Sequence, residues 1–162
     1  MERKNAREEK KINPNMNANE IEKIVSGLIN FGGIYQIKQL KNVKILSYPV
    51  SFIVNINHHW ISVYITDSQI EVMDSLGYFH SGNADNIICE LIVLHSKNKQ
   101  FLITPLIQNP SSDTCAKYSI CFLFYKTLTG NSLCKFCSNF SIDLNSNDGI
   151  ISEIFETVLK LQ

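Results

Sequence analysis

Cys115 follows a run of small polar residues, Ser111 to Thr114, and opens an apolar segment that ends before Gly130. A thiol on the first turn of a helix there meets backbone N–H groups and the positive end of the helix dipole, which favour the thiolate and make it a nucleophile. A cysteine nucleophile needs a base, and the base has to come from elsewhere in the chain. His58, His59, His80 and His95 are the available imidazoles. Adjacent strand residues face opposite sides, so one of His58 and His59 at most looks into such a site. Asp74 follows a strand-like run and could orient an imidazole and stabilise its charged form. Gln108, seven residues before Cys115, carries an amide donor able to share a developing oxyanion with the Cys115 N–H. Taken singly, each has an ordinary structural explanation: an inert thiol, a turn aspartate, a solvated glutamine. Cys121, inside the apolar segment, reads as core. Cys134 and Cys137 have the spacing of half a zinc site, but no cysteine or histidine follows them, so they read as reduced cysteines in a short apolar element.

The elements that must carry these groups follow from periodicity. Ile21, Ile24, Val25, Leu28 and Ile29 recur at helical spacing until Gly32 and Gly33. β-Branched and aromatic runs at 43–46, 50–56, 60–65 and 70–73 read as strands, the last two as a hairpin across Asp67 and Ser68. A helix through Ile87, Ile88, Leu91, Ile92 and His95, a strand from Phe101 to Ile107 and a central helix from Cys115 to Leu128 follow. A last amphipathic helix begins near Asn147 or Asp148. Residues 1–18 are charged and asparagine-rich with almost nothing apolar, and read as a flexible tail preceding a single domain over 19–162.

The 162 residues suit one domain, and 44% hydrophobic content supplies a core without metal or disulfide staples. Fifteen Lys and Arg balance fifteen Asp and Glu, which argues against a dedicated nucleic-acid or membrane-surface binder. No run is long and apolar enough to span a membrane, and five irregularly spaced cysteines suit a reducing, intracellular compartment.

The ordered string His59-Trp60, Asp74-Ser75-Leu76-Gly77, Gln108 and Cys115 at a helix start resembles the adenovirus-type endopeptidases (adenain) and the related SUMO and ubiquitin-like-protein proteases. It covers residues 19 to 130, and beyond that the likeness is helical character alone. The seven-residue gap and the short chain look more like the adenovirus type. The resemblance implies an α+β, papain-like or adenain-like cysteine protease, with a central, mainly antiparallel sheet packed on a helix that starts at the nucleophile. His59 would be the general base, Asp74 its orienter, Gln108 an oxyanion donor and Cys115 the nucleophile, leaving His58 facing away.

Three departures stand beside it. Ala116 occupies the position after the cysteine where the family has glycine, which would add a methyl beside the oxyanion site. No cysteine lies between Ser96 and Ile107 to capture an activating peptide. The neutral charge confines any DNA contact to the N-terminal tail or a local lysine cluster, so no cofactor is expected. The function that the resemblance implies is a cysteine endopeptidase cleaving near glycine and maturing viral or virus-like capsid or core precursors. It would work in the host cytoplasm or nucleus, or inside the virion. The alternatives are a SUMO- or ubiquitin-like isopeptidase (deconjugase) and a catalytically silent protease-fold binding module.

Overall fold

The computed structural model describes residues 16–77 and 97–162. Asn17 caps α1 (Ala18–Val25) through a reciprocal pair with Glu20. The final residues of the expected tail therefore belong to the fold: Met16 is buried, and its carbonyl accepts a hydrogen bond from Trp60 Nε1 at 3.0 Å. The helix stops four residues before Ile29, at the Ser26-Gly27 step, and Asn30 turns the chain with φ +66°.

Gly32 and Gly33 are not a break but the bulged start of an edge strand, β1 (Phe31–Gln36), which pairs in parallel with β2 (Val50–Ile56). A Cβ on Gly32 would stand 3.0 Å from Val50 Cγ2, and Gly33 has φ +126°, so both glycines serve the bulge. The strand expected over Val43–Leu46 does not form. The 3-10 turn Ile37–Asn42 and an irregular stretch take its place, because β1 and β3 already occupy both edges of β2.

β2 and β3 (His59–Ile65), then β3 and β4 (Gln69–Met73), pair antiparallel, with the second hairpin turning at Asp67-Ser68 as expected. β5 (Gln100–Ile103) adds in parallel to β4, so the five-stranded sheet is antiparallel at its centre and parallel at both edges. β5 is shorter than the Phe101–Ile107 run, because the chain leaves the ladder at Thr104-Pro105 and Ile107 and Gln108 donate instead to Ser75 O, each at 3.0 Å. The helix expected around Ile87 to His95 lies outside the described residues, as do His80 and residues 1–15.

α2 (Cys115–Thr129) ends at Gly130, whose φ of +67° closes the last turn. Tyr118, Ile120, Phe122 and Leu123 are fully buried in it, each apolar side chain contributing roughly 1.5–3 kcal/mol. They pack with Ile53, Trp60 and Met73 on one face of the sheet, under α1, α3 (Leu133–Cys137) and α4 (Leu144–Leu159). Val54, Ile61, Val63 and Val72 form a second core on the other face with Ile37 and Leu40 from the 3-10 turn. One ion pair sits inside this packing. Glu71, fully buried on β4, meets Lys126 Nζ of α2 at 2.6 Å and accepts the first N–H of α3, from Leu133, at 2.7 Å. It joins β4, α2 and α3 at one point.

Candidate active site

His59 owes its place to the two-residue turn before it. Asn57 and His58 both adopt positive φ (48° and 72°), the geometry of a tight hairpin, so His59 pairs with Ile56 as the first residue of β3. His58 is exposed in that turn, its N–H donating to Asn55 Oδ1. Of the two histidines only His59 is inside, and the reason is the turn rather than strand alternation.

Asp74 lies just past β4. The register pairs Ser62 with Met73, which sets Asp74 diagonally across the hairpin from His59. Its backbone is fixed by Thr104, whose hydroxyl accepts from the Asp74 N–H at 2.7 Å and donates to the Asp74 carbonyl at 2.8 Å. The Asp74-Ser75-Leu76-Gly77 turn closes with Gly77 N–H donating to Asp74 O at 2.9 Å. Gly77 has φ +62°, and a Cβ there would stand 2.9 Å from Leu106 N, so the position requires glycine for both conformation and space.

The carboxylate meets the imidazole directly: His59 Nε2 to Asp74 Oδ1 is 2.7 Å, with the two residues 5% and 0% exposed. Burial works to lower the His59 pKa, but hydrogen bonds to Asp74 and to Cys115 and the Coulombic pull of both outweigh it, and the ring is raised from 6.5 to about 9. Cys115 is thus within interaction range of the imidazole while remaining partly exposed to an incoming substrate. Burial pushes the thiols of Cys121 and Cys137 up, that of Cys137 to about 12.

Gln108 is buried and held at both ends of its amide. Ser75 Oγ donates to Oε1 at 2.6 Å, and Nε2 donates to Ser112 O at 2.8 Å. A carbonyl only accepts, so the contact with Ser112 O fixes which end of the amide is nitrogen. The second Nε2 hydrogen faces Ser112 Oγ at a long 3.3 Å, an exchangeable contact. Ala116, the second residue of α2, is 1% exposed and belongs to the core cluster under the sheet.

All four sequence-predicted residues, His59, Asp74, Gln108 and Cys115, come together at the end of the β3–β4 hairpin and the start of α2. Sequence reasoning missed the groups that hold them: Thr104, Ser75, Ser112 and, from α4, Asn147 and Asp148. Asn147 Nδ2 donates to Ile107 O at 3.0 Å, next to Gln108, and Asp148 Oδ1 accepts from Thr114 Oγ1 at 3.0 Å, next to Cys115. The sequence pattern placed the start of the last helix near these two residues. Asp143 is the actual cap, which moves the helix start upstream and turns the Asn-Asp pair toward the 107–114 loop. Among the described residues no group of three or more His, Cys, Asp or Glu could hold a metal ion, and no helix is long and apolar enough to cross a membrane.

No protein-family model matches the sequence, and no curated protein matches it. Solved structures to which the chain is similar include the central domain of the uncharacterized Lpg1148 protein from Legionella pneumophila, with 12% identity, a TM-score of 0.48 and coverage of 82% of this chain and 88% of that one. A de-sumoylating protease is similar at 15% identity and a TM-score of 0.43, over 85% of this chain and 74% of its own. The SUMO protease Ulp1, with its catalytic cysteine oxidized to a sulfenic acid, gives 15% and 0.42, over 86% and 74%.

Proposed function

We propose that this chain is a cysteine hydrolase acting on peptide bonds. The observation that carries the reading is the buried His59–Asp74 pair at 2.7 Å, whose imidazole also interacts with the thiol of Cys115. With Nε2 given to Asp74, the other ring nitrogen exchanges a proton with Cys115. The thiolate adds to the scissile carbonyl, the Cys115 N–H and the Gln108 amide stabilise the oxyanion, and the His59 imidazolium protonates the leaving amine. Water, deprotonated by His59, then releases the acyl group and restores the thiol. The raised His59 pKa supports a ring that holds its proton at neutral pH until the amine needs it.

For substrate, the resemblance in sequence favours an endopeptidase cleaving beside glycine, with viral or virus-like structural precursors as its targets. The same catalytic set would serve a deconjugase. Turnover by the purified chain separates them: glycine-containing peptides cleaved faster than folded ubiquitin-like fusions support the endopeptidase, and the reverse order supports the deconjugase. A Cys115→Ala protein that retains turnover of either substrate refutes the reading altogether.

A further inference from the structure

A threonine before a helix usually turns its hydroxyl onto the exposed N–H groups of the first turn. Thr114 occupies that position on α2 and does not do so: its φ and ψ are −90° and 0°, away from the extended backbone of a capping residue, and no side-chain cap bond forms. Its hydroxyl is held elsewhere. Thr114 Oγ1 donates to Asp148 Oδ1 at 3.0 Å and meets Ser112 Oγ at 2.9 Å, while Tyr118 OH, one turn into α2, donates to the same Asp148 oxygen at 3.1 Å. The first-turn N–H groups of α2 are therefore left without the side-chain acceptor that the sequence places beside them.

We infer that Asp148 is a positioning residue that keeps the Thr114 hydroxyl off the amino end of α2, so that this end stays open for the oxyanion formed at Cys115. The inference rests on the proposed acyl-transfer reading. Its chemistry is competition for one set of donors. A hydroxyl oxygen seated on the first-turn N–H groups would occupy them before a substrate oxygen arrives, whereas a carboxylate anchored on α4 draws that hydroxyl away. Asn147, the preceding residue, ties the same helix to Ile107 O, so α4 holds the residues immediately before both expected oxyanion donors, Gln108 and Cys115.

Two reagents on the full-length chain test this, because only one of them creates an oxyanion. Acetylglycine 4-nitrophenyl ester acylates a thiol through a tetrahedral intermediate, forming the S–C bond and expelling 4-nitrophenolate, while iodoacetamide alkylates the same thiol by displacing iodide with no oxyanion. Asp148→Ala is expected to slow acylation of Cys115 by roughly ten- to a hundredfold, less than the roughly hundred- to thousandfold cost of removing an oxyanion donor outright, and to leave alkylation within about twofold. Asp148→Asn, which keeps an oxygen acceptor for both hydroxyls, should retain most of the acylation rate. Adding Thr114→Val to Asp148→Ala removes the competing hydroxyl and should recover at least tenfold of any larger loss. Acylation and alkylation falling together in Asp148→Ala, or a double variant no faster than the single one, would overturn the inference while leaving the active-site reading in place. A wild-type Cys115 that takes the ester no faster than exposed Cys134 would overturn both.

Discussion

Each member of the site has one job that a conservative change can isolate. Cys115→Ser and Cys115→Ala remove the thiol nucleophile while leaving the buried His59–Asp74 pair in place, so turnover should vanish while the thermal midpoint stays within a few degrees of wild type. Asp74→Asn keeps the shape but loses the charge that stabilises the imidazolium. A fall in kcat of about 10²–10⁴ is expected, measured on whichever substrate the wild type turns over. Gln108→Ala should lower kcat by roughly a hundredfold or more with little change in KM, since its amide serves the transition state rather than binding. The His59 pKa gives the pH dependence a direction. It is raised from 6.5 to about 9 by its partners, so the stability that the protonated ring contributes is fully present below about pH 6.5 and is lost as pH rises through about 9. Denaturation midpoints taken from pH 6 to 10 should fall on the alkaline side, and Asp74→Asn should flatten that fall. These four residues were legible in the sequence from their combination: a cysteine at a helix start, a tryptophan after a histidine, an Asp-Ser-Leu-Gly turn and a glutamine seven residues before the cysteine. Thr104, Ser75 and Asp148 were not, because an ordinary hydroxyl or carboxylate acquires its role only from the chain segment that folding brings against it.

Among the elements, the segment from β4 through the Asp74–Gly77 turn is the one on which the site depends most. Gly77→Ala combines a φ of +62° with a Cβ 2.9 Å from the Leu106 backbone, and the segment it would push leads to Gln108 two residues on. The substitution should therefore lower kcat as well as stability, and an alanine variant with wild-type activity would contradict the account of this turn. The buried Glu71–Lys126 pair makes a separate claim. Lys126→Met leaves Glu71 charged inside the core without the Lys126 ammonium, a change expected to cost about 3–5 kcal/mol by urea or thermal unfolding. The central helix was legible from its largely apolar composition and terminal glycine, and the β2 to β4 strands from their β-branched residues. β1 was not, since a paired glycine reads as a break until its neighbour strand is known. The stretch Val43–Leu46 has strand-like residues but no free sheet edge to join, which no local pattern can reveal.

Among the described residues one sheet carries a core on each face, and the site forms where the sheet's central hairpin ends against the first turn of α2. That arrangement gives the last thirty residues, which by sequence offered helical character alone, a specific part: α4 anchors the 107–114 loop through Asn147 and Asp148. Removing residues 144–162 should then abolish acylation of Cys115 even where the sheet survives, a result readable by far-UV circular dichroism alongside thiol labelling. The central claim is that folding makes Cys115 the activated thiol of this chain, and mapping the order in which cysteines are acylated tests it most directly. With limiting acetylglycine 4-nitrophenyl ester at pH 7.5 and peptide mass spectrometry as the readout, Cys115 should be acylated well ahead of exposed Cys134, and that preference should disappear in His59→Gln. Acylation of Cys134 first, or a preference for Cys115 unchanged by loss of the imidazole, would contradict the account.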